Sequence, residues 1–209
     1  MAAHSYNRLA GQRLHRIEAL SDGVFAIAMT LLVLELRVPV DRVIHSEKEL
    51  WATFLDLKVE LLTYFLSFMT LGIFWVGHSV QFQYIARSDR NLFWINIFLL
   101  MIVSLIPFTT SFLSRHIEFK LAVIIYWVNI FLLGVIVYAH WDYVMRSGYV
   151  ESDLPVSTIN KVIRKRVIVA QSLYLVGALL CFISTYLSVF FIIAVQLGYA
   201  FALFETRKK

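Results

Sequence analysis

The sequence predicts an all-α, polytopic membrane protein with six transmembrane helices, on three observations. Hydrophobic residues make up 60% of the 209 positions and charged residues only 16%. Soluble domains run at roughly 45–50% and about 25%, and a compact soluble chain of this size has too little interior to hide the excess. The apolar residues come in continuous runs of about 20, the length of a helical crossing, not in the alternating segments of a barrel. Basic residues flank the runs, as they do where topology is set by charge.

The runs follow in order. The first is 19–38, from Ala19 to Val38, with Ser21, Asp22, Thr30 and Glu35 inside it. The second is 61–82, ending in Phe74-Trp75-Val76-Gly77-His78-Ser79. The third is 92–113, with Asn96 near its start and Pro107 late, and the fourth is 121–144, with Asn129 and His140. The fifth, 167–186, and the sixth, 188–204, meet at Tyr186-Leu187-Ser188 and predict a tight hairpin. Two loops are long. Residues 39–60 mix acidic and basic side chains and leave room for a surface helix, and residues 145–166 end in Lys161, Arg164, Lys165 and Arg166. No linker divides the chain, so 1–209 reads as one transmembrane domain.

Orientation follows from Lys and Arg. With six crossings, one side holds both termini and the loops after the second and fourth runs, and it carries 13 of the 19 basic residues. The six on the other side are Arg37, Arg42, Lys48, Lys58, Arg115 and Lys120. This bias predicts a multi-pass protein of the cell membrane with both termini cytosolic. It also accounts for the net charge of +5 without a nucleic-acid partner. The lone cysteine, Cys181, excludes an intrachain disulfide, and no Cys/His spacing fits a metal. No nucleophile–base pair or cofactor loop stands out, so the expectation is a non-enzyme without cofactors.

Ionisable groups inside a crossing are costly, roughly 2.5–3.5 kcal/mol for Asp at mid-bilayer on insertion scales. Asp22, His78 and Asn96 sit on three runs at similar depth from the cytosolic side, with Ser21 beside Asp22 and Arg16 just outside. They predict one polar network clipping three helices together. A proton relay through Asp22 and His78 is the alternative use of the same residues. In the first run Ile27, Leu31 and Leu34 are spaced four and three apart and share one face. Thr30 borders that stripe, while Asp22 points about 140° away from Ile27. Periodicity alone reads the stripe as ordinary helix packing.

The segment Arg16-Ile17-Glu18-Ala19-Leu20-Ser21-Asp22 resembles the Arg-x-x-x-Phe-Ser-Asp signature of the transmembrane protein 175 family, with Leu20 in place of Phe. The likeness runs on through Gly23 to Thr30 and recurs at Trp75-Val76-Gly77-His78 and Asn91-Leu92-Phe93-Trp94-Ile95-Asn96. The resemblance implies a potassium-permeable channel, a homotetramer whose first helix lines the pore without a Thr-Val-Gly-Tyr-Gly filter. It implies a constriction at Ile27, then Leu31 and Leu34, and a part for Thr30 in selectivity. Arg16, Ser21, Asp22, His78 and Asn96 then form the structural polar network. The expected partners are potassium ions, the lipid bilayer and further copies of the chain. The rival readings are a proton-coupled transporter using Asp22 and His78, and a non-conducting membrane scaffold.

Overall fold

The computed structural model describes residues 14–37 and 43–201. Outside them lie Val38, Asp41, Arg42, Arg8, Arg13, residues 202–204 of the sixth run, and Arg207, Lys208 and Lys209. Helix α1 spans Leu14–Leu31 and tightens into a 3₁₀ turn over Leu32–Glu35. Helix α2, Glu47–Asp56, is the surface helix of the first long loop, and Ser46 caps it by accepting from the Glu49 amide. A single residue separates it from α3, Lys58–Phe82. Asp89 caps α4, Arg90–Ser104, by accepting from the Leu92 amide. Helix α5, Ile106–Arg115, follows after one residue. The third run is thus interrupted, because Pro107 has no N–H to continue the helical ladder.

Helix α6, Lys120–Ser147, ends at Gly148, whose φ of 66° is the left-handed conformation that terminates helices. Helix α7, Val156–Leu179, closes in a 3₁₀ turn over Leu180–Phe182, and α8 is Thr185–Ala200. The hairpin between α7 and α8 turns at Ile183 and Ser184, earlier than Tyr186–Ser188, because Ser184 accepts from the Leu187 amide and caps α8. Ser188 Oγ donates to the Gly177 carbonyl at 2.6 Å. A Cβ at Gly177 would lie 2.6 Å from the Ile192 side chain, so only glycine permits this approach. Helix α7 also begins well before residue 167. Its basic first turns extend the apolar run into water.

Among the described residues five helical stretches are long and apolar enough to cross a bilayer: Leu14–Glu35, Lys58–Phe82, Arg90–Arg115, Lys120–Ser147 and Val156–Phe182. The sixth apolar helix, α8, has 16 residues. At 1.5 Å per residue it is about 24 Å long, short of the roughly 30 Å hydrocarbon core. Helix α1 packs on α3 and α4, while α7 packs on α6 and α8 at the other side of the fold. The main core joins Phe25, Ala28 and Leu32 of α1 to Leu66, Leu99, Val103 and Ile130. A second core at the end of the molecule near the α6–α7 loop joins Leu92, Trp141, Val144, Ile159 and Ile163.

Polar groups are buried between the helices. Tyr126 OH lies 3.1 Å from Ser67 Oγ and 3.0 Å from Thr70 Oγ1. Thr110 donates to Ser67 at 2.6 Å, and Gln196 donates to Thr70 at 2.7 Å. This cluster ties α3, α5, α6 and α8, each hydroxyl meeting a partner that lipid would not supply.

Candidate functional site

The two faces of α1 differ in what covers them. Ile17, Ser21, Phe25, Ala28 and Leu32 are buried against the neighbouring helices. On the opposite face Ile27 is 59% exposed, Leu31 43% and Leu34 64%. All three members of the predicted stripe therefore lie on the side of α1 that the subunit's own helices leave bare. The 3₁₀ turn refines their alignment. At three residues per turn, residues i and i+3 eclipse, so Leu34 stands nearly over Leu31.

Thr30 is exposed on the same side, and its hydroxyl donates to the Ile27 carbonyl at 2.8 Å. The proton is turned back to the backbone, leaving the oxygen lone pairs outward. Thr30 thus presents an acceptor next to an apolar stripe.

Behind this face, Asn96 of α4 joins two other helices. Its amide nitrogen donates to Ser21 Oγ at 2.9 Å, and its oxygen lies 2.8 Å from His78 Nε2. Ser21 in turn donates to the Ile17 carbonyl at 2.8 Å. With the amide in this orientation Nε2 carries the proton, and every bond in the chain donates in one direction, from α3 through α4 to α1. Ser21, His78 and Asn96 are all buried. Asn in an apolar interior is expensive unless its amide is bonded, and here both ends are.

Asp22 does not join that chain of bonds. It is exposed, about 140° around α1 from Ile27, and accepts from Trp75 Nε1 at 2.8 Å. Arg16 is also exposed, on the stripe's side of the helix. The sequence grouping of five residues therefore divides in the structure. Ser21, Asn96 and His78 share a buried chain, Asp22 pairs with Trp75, and Arg16 lies apart on the outward face. Shared depth fixes height along the bilayer but not direction around the helix, and adjacent residues differ by about 100°.

Sequence reasoning also missed how far the buried cluster extends. The His78 ring lies 5.5 Å from the His140 ring and 4.6 Å from the Phe82 ring. His140 Nδ1 lies 2.9 Å from Gln81 Oε1, and Gln81 donates to the Val137 carbonyl at 3.2 Å. The one available signal was Gln81 three residues after His78, on the same face of α3. Among the described residues no group of three or more His, Cys, Asp or Glu is placed to hold a metal.

Residues 16–107, which contain every candidate position named from the sequence but not His140, match the family model described as the endosomal/lysosomal potassium channel TMEM175. The chain is 36% identical over 177 residues to a potassium channel of Chamaesiphon minutus, covering 83% of this chain and 87% of that protein. It is 34% identical over 138 residues to a potassium channel of Streptomyces collinus, covering 64% of this chain and 66% of that one. The fold superposes with a TM-score of 0.73 at 32% identity on the crystal structure of a lysosomal potassium-selective channel TMEM175 homolog from Chamaesiphon minutus. That match covers 90% of this chain and 97% of the other. An all-helical fold with several helices of membrane-crossing length, and a likeness of this identity and coverage, place the chain in the TMEM175 family of membrane ion channels.

Proposed function

We propose that this chain forms a potassium-permeable cation channel, a homotetramer in the cell membrane with α1 from each copy around the pore. The observation that carries the reading is the bare apolar face of α1. Ile27, Leu31 and Leu34 are more than 40% exposed on a helix whose other face is sealed. Four such faces around one axis cover one another and leave an apolar constriction. Rings of this kind gate by dewetting, since an ion gains nothing from them. A narrow bore that penalises dehydration of smaller cations is a physical route to potassium preference. Thr30 borders the ring and contributes a side-chain oxygen beside it. Both termini are cytosolic, and α8 is the sixth crossing.

The relatives named as potassium channels support the ion, and the buried chain of Ser21, Asn96 and His78 supports a rigid back wall behind α1. The transporter reading needs Asp22 and His78 to exchange a proton. It is less favoured, because Asp22 accepts from Trp75 while His78 Nε2 faces Asn96. Purified protein in a planar bilayer tests the proposal. Ohmic current with a reversal potential near that of potassium is expected. Saturable, pH-driven uptake without channel openings would establish the transporter instead, and electrical silence would leave a scaffold.

A further inference from the structure

Helices α6 and α7 diverge on the outer surface of the subunit and leave a cleft of about 550 Å³. Its walls are mainly apolar and aromatic, from Tyr138 at one end through Val135 to Trp127 on α6, faced by Ile168 and Leu175 on α7, with Gln171 between them held to the Ile130 carbonyl. From residue 138 to residue 127 is 11 steps, about 16 Å along the helix. One leaflet of the hydrocarbon core is about 15 Å deep. The cleft therefore matches an acyl chain in length, and its Tyr138 end lies toward the α6–α7 loop.

The same face of α7 continues past the cleft as a row of cations. Lys161, Arg164 and Lys165 precede Ile168 and Leu175 at helical spacing, within one arc of about 100°. Arg164 is fixed at the rim. It pairs with Asp142, and its guanidinium lies 5.4 Å over the Tyr138 ring. Lys161 and Lys165 are exposed. Residues 142–166 together hold five cations and three carboxylates, so the mouth of the cleft is net positive.

We propose that this cleft binds one anionic glycerophospholipid of the leaflet facing the α6–α7 loop. An acyl chain lies between α6 and α7, and the phosphate meets Lys161 and Lys165 at the rim. Bare snorkelling lysines attract any anionic lipid weakly. A cleft one leaflet deep beneath them converts that attraction into a site. The site lies on α7, which packs on α6 and α8 rather than on α1, so it is independent of the pore assignment.

Native mass spectrometry of the detergent-purified full chain tests this, after incubation with equal parts of phosphatidylglycerol and phosphatidylcholine of matched chains. Wild type is expected to retain phosphatidylglycerol preferentially. Lys161→Gln/Lys165→Gln should lower that preference about thirtyfold, from roughly 1 kcal/mol per basic residue near an anionic surface. Lys58→Gln/Arg115→Gln removes equal charge at the opposite membrane face and should leave the preference intact. Val135→Trp, filling the cleft, should lose both lipids. The lysine variant changes only exposed side chains, so it reports even where the tryptophan variant fails to fold. Equal retention of the two lipids by wild type, unchanged retention in the lysine variant, or loss of oligomer in place of lipid in Val135→Trp would each overturn the proposal.

Discussion

Trp75 on α3 holds Asp22 on α1 through a 2.8 Å hydrogen bond from its indole nitrogen. The carboxylate is thereby satisfied within the chain, about 140° around α1 from Ile27 and away from the bare apolar stripe. Trp75→Phe keeps the ring's bulk and removes the donor. The expected outcome is a lower melting temperature in detergent with little change in ion preference. Asp22→Asn keeps an acceptor for the indole and should be milder. A variant Trp75→Phe that melts like wild type while losing potassium preference would assign the pair to permeation instead of assembly.

His78→Ala acts on the buried chain. It leaves the Asn96 oxygen without a partner at a fully buried position. An unsatisfied buried acceptor costs about 1–3 kcal/mol. The phenyl ring of Phe82 and the imidazole of His140 pack on the same residue, so a cavity adds to the loss. Thermal melts should show destabilisation on this scale, and the yield of the proposed tetramer should fall. Asn96→Leu, which removes both polar ends at similar volume, should destabilise less per bond lost, since it leaves only His78 and Ser21 to find other partners.

These two cases show what the sequence revealed and what it did not. Continuous apolar runs flanked by charge identify helices without knowledge of their partners, which is why the membrane class and the order of the helices were legible. The stripe Ile27, Leu31 and Leu34 was legible for the same reason, because periodicity is local to one helix. The direction of a polar side chain is not. Ser21 and Asp22 are neighbours at one height, yet one turns inward to Asn96 and the other outward to Trp75. The pairing of Gln81 with His140 was missed because it exists only once α3 and α6 are packed. Helix ends were misjudged where the chain leaves the lipid. Hydropathy falls at Arg166, but the hydrogen-bonded helix continues back to Val156.

Topology is testable by labelling. Cysteines introduced at Ser46 and Lys161, after Cys181 is replaced, should react with impermeant reagents from opposite sides of the membrane. Both positions are exposed. Reaction of both from one side would remove the six-crossing arrangement, because three crossings, α3, the α4–α5 pair and α6, must lie between them.

Thr30→Val preserves shape and deletes the hydroxyl that donates to the Ile27 carbonyl. The variant loses both that bond and the outward acceptor. A bond of this class is worth about 0.5–1.5 kcal/mol, which corresponds to a shift of roughly two- to tenfold in the potassium-to-sodium permeability ratio if it acts at the selective step. Bi-ionic reversal potentials measure it. An unchanged ratio would remove Thr30 from the selective region and leave it a helix-facing hydroxyl.

Ile27 bears the strongest prediction. It is 59% exposed on α1 while Phe25, two residues earlier, is 1% exposed. The two side chains project about 160° apart. In the proposed tetramer, four copies of a β-branched residue around an axis make a stiff collar, since one χ1 rotamer dominates in a helix. The collar offers no oxygen to replace an ion's hydration shell, so it opposes permeation while dry. Ile27→Asn brings amide groups to that surface at similar size. The collar should then stay wet, single-channel conductance should rise, and potassium preference should fall. Leu31→Asn, one turn along the same face, should act in the same direction. Phe25→Asn is the control. It puts an amide into the core beside Ala28 and Leu32, and it should cost about 3–5 kcal/mol as a large-to-small core change without raising conductance. Recordings at matched protein amounts separate these outcomes. Wild-type conductance and selectivity in Ile27→Asn would place the constriction elsewhere, and the bare stripe of α1 would then be a packing surface between subunits.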